Sequence, residues 1–170
     1  GQVLTSAGAG QPCAFETLTT GKVIQVVNTQ TGAMSTGTTV GVHDDSIPTS
    51  SELNEVMTLA VTPTNSSNKL KIDVVALISS GTANTYFIGA LFQDSTSAAL
   101  AVIEEYNKDA TAEGHLNFTH YMAAGTTSAT TFKVRIGTAK AGTTTFNGDG
   151  GARKFGGAFA SSITITEIQV

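Results

Sequence analysis

Between Phe132 and Ile136 three apolar residues alternate with Lys133 and Arg135. A period of two marks a strand with one face in a core and one toward water, because successive side chains on a strand point to opposite faces. The same period runs through Leu70, Ile72, Val74, Ala76 and Ile78, with Lys71 and Asp73 on the other phase. It returns in Met57, Leu59 and Val61, and in Leu116, Phe118, His120 and Met122. Tyr86, Ile88, Ala90 and Phe92 alternate around small or polar neighbours and predict a further core-facing strand. Lys22–Gln30 and Ser161–Val170 are rich in β-branched residues, which suit a pleated surface. Ala98–Tyr106 is apolar enough for a strand or a short helix and reads as a strand.

About eight or nine strands and no helical period predict an all-β fold, an antiparallel β-sandwich with jelly-roll-like topology. The stretch TPTNSSNK carries turn chemistry and predicts a hairpin joining Met57–Val61 to Leu70–Ile78. GTTSAT predicts a second hairpin between Leu116–Met122 and Phe132–Ile136. Residues 1–21 are Gly-, Ala-, Ser- and Thr-rich and predict an extended arm, leaving residues 22–170 as the sandwich. Residues 31–55 read as a long polar surface excursion.

Only 13% of the residues are charged, against roughly 25% in an average soluble protein. Thr, Ser, Asn and Gly must therefore cover the surface. With 40% hydrophobic residues and a formal net charge of -4, the chain is neither disordered by composition nor equipped to neutralise a phosphate backbone. No apolar run approaches the roughly 18 residues that a spanning helix needs. The single cysteine, Cys13, leaves no internal disulfide framework. The opening lacks a signal-peptide pattern and starts at Gly, as a fragment or processed product would.

Several segments resemble a known family. GQVLTSAGAGQPCAFE resembles the connector that precedes terminal domains of bacteriophage tail fibres, and GKVIQVVNTQ resembles the start of a domain at the ends of phage fibre-like proteins. TPTNSSNKLKIDVVALIS is similar to that family's turn and strand, and GTTSATTFKVRIGT and GGAFASSITITEIQV are similar to its last two strands. Together these cover about half of the chain; residues 84–115 match nothing comparable. The resemblance implies a non-catalytic distal fibre domain on a virion, a homotrimer that binds a host-surface glycan or protein during attachment. The alternative is a structural virion protein, a capsid-decorating or head-fibre domain, gripping other virion proteins through its N-terminal arm. A glycan depolymerase is a minor third reading.

Candidate chemistry is sparse. His43, Asp44 and Asp45 offer ordinary ligand types for a divalent ion, but a solvated loop explains them as well, and no metal or cofactor is expected. His115 and His120 fall on opposite faces of a strand. Glu104 and Glu105 are the residue type of a glycosidase pair, yet adjacent strand residues cannot flank one bond, so no catalytic residue is assigned. Cys13 has no histidine near it in sequence to activate it. GDGGARKFGG lacks the spacing of a phosphate-binding loop and reads as a recognition loop, with Asn147, Asp149, Arg153 and Lys154 as candidate receptor contacts. Replacing Asn147–Gly157 as a unit is expected to leave folding intact. Tyr86 and Tyr106 are candidate stacking platforms.

Overall fold

The computed structural model describes residues 2–6, 8–17, 21–110 and 112–170. The strands are β1 (Gln2–Thr5), β2 (Ala14–Thr17), β3 (Val23–Thr31), β4 (Ser35–Gly37), β5 (Asn54–Val61), β6 (Lys69–Ser80) and β7 (Thr85–Gln93). They continue with β8 (Ala101–Asn107), β9 (Glu113–Ala123), β10 (Thr130–Thr138), β11 (Thr144–Phe146), β12 (Gly148–Asp149), β13 (Ala152–Arg153) and β14 (Ser161–Ile168). Phe155–Gly157 form a tight turn with positive φ (46°, 64° and 95°), and the described residues contain no α-helix.

The long strands form two antiparallel sheets. In the first, β3 pairs β14, β14 pairs β6, and β6 pairs β9; the short β11 and β4 extend it beside the C-terminal end of β6. The second runs β5-β10-β7-β8. Numbered in chain order, the eight long strands lie 1-8-3-6 over 2-7-4-5, the jelly-roll arrangement. Of the consecutive long strands only β7 and β8 pair with each other. Both hairpins expected from sequence are therefore corrected: β5 and β6 lie in opposite sheets, as do β9 and β10. Alternation fixes which face a strand buries and is silent about the neighbour, and two inward faces meet across a core as readily as they share a sheet.

Leu70, Ile72, Val74, Ala76 and Ile78 are all within 2% of complete burial, and they meet Phe132, Val134 and Ile136 of the opposite sheet. Ile163, Ile165, Leu116, Met57, Val61 and Phe146 also belong to this core. Each of these larger side chains, Ala76 apart, stabilises the fold by about 1.5–3 kcal/mol relative to exposure. On β7 the core-facing residues are Phe87 and Leu91, the phase opposite to the expected one. Ile88, Ala90 and Phe92 lie in a second buried cluster with Leu53. Both faces of β7 are thus buried, which blurs the alternation in its sequence.

The cover on that outer face is the polar excursion. Gly41 N donates to Thr138 O at 2.9 Å, Ser50 N to Ser97 O at 2.8 Å, and Ala99 N to Pro48 O at 3.0 Å. Arg135 Nη1 donates to Ser50 O and Leu53 O. A Cβ on Gly137 would stand 2.8 Å from Leu53 Cδ2, and one on Gly41 2.9 Å from Ile88 Cδ1, so glycine permits the close approach. The segment is a strap over the sheet and carries one apolar anchor, Leu53.

Within the first 21 residues, β1 and β2 pair as an antiparallel ribbon, with Leu4 opposite Phe15. Leu4 is 62% and Phe15 68% exposed.

Candidate functional site

The strap carries His43 to the outer face of β7 and β8. Tyr86 and Tyr106 are register partners on that face, their rings 5.2 Å apart and edge to face. The imidazole of His43 lies flat on Tyr86 at 4.1 Å with 9° between planes. Its Nε2 is 2.9 Å from Glu104 Oε2. Tyr106 donates its hydroxyl to Asn84 Oδ1 at 3.1 Å. Stacking and the carboxylate contact together fix the imidazole on an exposed surface.

Beside this cluster opens a cleft of about 410 Å³. Its apolar lining comes from Ile88, Leu100, Ala101 and Val102, with Val42 and Ile47 from the strap opposite. His43, Asp44, Ser46 and Glu104 supply its polar groups. Asp44 Oδ1 accepts from Ser46 N at 2.8 Å and from the Ser46 hydroxyl. The Ser46 hydroxyl and amide, with a smaller contribution from nearby His43, hold the Asp44 carboxyl below its ordinary value.

The structure separates the other sequence candidates. Glu104 faces the cleft, whereas Glu105 Oε2 accepts from His115 N at 2.8 Å. His115 opposes Leu77 and His120 opposes Ile72 in register, which puts the two on opposite faces of β9. Burial lowers the pKa of His120. Cys13 is exposed on the ribbon's turn side, before β2. Among the described residues, no three His, Cys, Asp or Glu side chains come together as a metal site.

The glycine-rich loop divides in two. Gly150 and Gly151, with φ of 57° and 76°, turn β12 into β13, and Asp149 pairs with Lys154 at 3.4 Å. Arg153 is exposed. Asn147 differs from its candidate neighbours: it is fully buried. Its Nδ2 donates to Thr31 O at 2.7 Å and Ala33 O at 3.2 Å, and its Oδ1 accepts from Ser161 Oγ at 2.6 Å. The amide is spent on tying β3 and β14 to the loop, which removes Asn147 from the candidate contacts. For the same reason a replacement spanning Asn147–Gly157 would cut into the framework.

Sequence reasoning did not bring His43, Tyr86 and Glu104 together. The pairing of β7 with β8 sets Tyr86 near Glu104, and the path of the strap brings His43 to both. The legible part was Tyr86 and Tyr106 as candidate stacking platforms; the strand pairing that sets them side by side was not.

No family model matches this chain, and no curated protein matches it. Among solved structures it is similar to infectious bursal disease virus, Gt strain, with a TM-score of 0.41, 10% identity, and coverage of 99% of this chain and 43% of that chain. It is also similar to the VP2 subviral particle of infectious bursal disease virus, with a TM-score of 0.40, 9% identity, and coverage of 99% and 43%. For the Gx strain of the same virus the values are 0.42, 13%, and 98% and 41%. The chain spans less than half the length of these proteins.

Proposed function

We propose that this chain is a structural domain of a virion, with the sandwich as the displayed body and residues 1–21 as the link to neighbouring virion proteins. The observation that carries this reading is the β1–β2 ribbon. Leu4 and Phe15 face each other across it and remain mostly exposed. A two-stranded ribbon alone is marginally stable in water, so this one calls for a further strand or an apolar surface as cover. The resemblance of its sequence to a phage-fibre connector supports the same role. A homotrimer would provide that cover from equivalent copies related by a threefold axis.

The test is the double substitution Leu4→Ser with Phe15→Ser. The expected result is an unchanged melting temperature of the sandwich, with loss of trimer mass in light scattering and of incorporation into particles. Normal incorporation of the variant would remove the reading, and a monomer mass for the unmodified chain at micromolar concentration would remove the trimer.

The cleft beside His43 favours a second reading, non-catalytic attachment to a host surface. It combines apolar lining, a fixed aromatic cluster and carboxylates on an exposed face, the composition of a small recognition site. The divergence of Glu104 and Glu105 supports the absence of glycosidase chemistry. Release of sugar from host polysaccharide by the purified chain would overturn that part.

A further inference from the structure

The valences left open on the two carboxylates of this cleft are acceptors. Glu104 uses Oε2 on His43, and among the described residues no partner occupies its Oε1. Asp44 uses Oδ1 on Ser46, and its Oδ2 is likewise unoccupied. The hydrogen bonds from Ser46 also favour the charged form of Asp44. The remaining lining is aliphatic, and Val42, Ile47 and Val102 are 51%, 66% and 46% exposed at its margin. Among the described residues no Lys or Arg lines the cleft, and the whole chain carries a net charge of -4. A complementary ligand therefore brings hydrogen-bond donors with positive charge on a body that has an apolar face.

We propose that the cleft binds a protonated amine carried on an aliphatic or alicyclic body, its ammonium group between Glu104 and Asp44 and its carbon skeleton against Ile88, Leu100 and Val102. This specifies the ligand chemistry of the attachment reading and rests on it for the site. The same chemistry has two sources, a lysine side chain of a protein or an amino sugar. At about 410 Å³ the space takes a group of that size.

Titration of the intact chain with n-butylammonium, n-butanol, D-glucosamine and D-glucose, followed by amide NMR shifts, tests it. The expected result is a saturable shift of residues 42–47 and 99–104 with an amine and not with its neutral counterpart. Stronger binding of butylammonium identifies the lysine-like source, and stronger binding of glucosamine the amino sugar. Glu104→Gln is expected to weaken the amine about fivefold, the scale of a half-exposed ion pair, with an unchanged melting temperature. Asp44→Asn provides the same readout from the other carboxylate if Glu104→Gln perturbs folding. Equal shifts with amine and neutral probe, no saturable shift, or unchanged affinity in both variants would overturn the proposal. Amine binding that leaves host adsorption unaffected by Glu104→Gln would preserve the ligand assignment and remove the attachment reading. Adsorption lost in Glu104→Gln without any amine binding would do the reverse.

Discussion

Asn68 Nδ2 donates to Glu167 Oε1 at 2.6 Å, joining the crossing between the two sheets to the last strand through a carboxylate that is fully buried. The same oxygen accepts from Thr64 N at 2.9 Å and the Thr64 hydroxyl at 2.8 Å, and Glu167 Oε2 accepts from Gln25 Nε2 at 2.6 Å. Glu167 therefore clamps β3, the 64–68 turn and β14 together.

Burial opposes the charge on Glu167, but the donors from Gln25, Asn68 and Thr64 outweigh it and bring its pKa from 4.5 to about 2. A carboxyl depressed in the folded state contributes stability above its unfolded pKa and loses it as pH falls through the folded value. The contribution is therefore complete above about pH 5 and disappears between about 4.5 and 2. A shift of this size corresponds to about 3 kcal/mol. Urea unfolding at stepped pH is expected to show that loss in the unmodified chain and a much flatter profile across this window in Glu167→Gln. Parallel profiles would refute the clamp.

Asn147→Ala is expected to destabilise the fold by about 2–4 kcal/mol. It strips donors from the Thr31 and Ala33 carbonyls and the acceptor from Ser161, and it places alanine at φ 53°. Arg153→Ala, on the exposed part of the same loop, should stay within about 0.5 kcal/mol of the parent. Chemical denaturation of the two variants side by side checks the division of the loop; equal stabilities would contradict it.

Leu53→Ala is expected to cost about 2–5 kcal/mol, because Leu53 is 2% exposed and packs in the cluster of Ile88, Ala90 and Phe92. Ile47→Ser, at a residue 66% exposed on the same strap, should change stability little. Limited proteolysis is expected to cut within residues 42–50 more readily in Leu53→Ala. If both variants unfold at the parent's denaturant concentration, the strap is not part of the core.

The strand class of this protein is local information. Phe132–Ile136 and Leu70–Ile78 declare an inward and an outward face through their own side chains, so alternation identified them and their buried phase without reference to a partner. Glu167 continues the inward phase of Ile163 and Ile165, but its partners Gln25, Thr64 and Asn68 lie on distant segments, so the clamp emerged only with the tertiary structure. Pairing is not local. Whether β5 meets β6 within a sheet or across the core depends on the whole jelly-roll order, which is why both expected hairpins became crossings. The phase of β7 was hidden because the strap buries its second face, and the strap's only deep anchor in the second cluster is Leu53. Asn147 looked like a loop residue because its partners, Thr31, Ala33 and Ser161, lie on distant strands. By itself the sequence determined the long strands, the inward faces of those buried on one side, and a low-charge surface. Tertiary structure alone decided which strands are neighbours, and with them the meeting of His43, Tyr86 and Glu104, because that contact depends on where a long segment crosses a sheet.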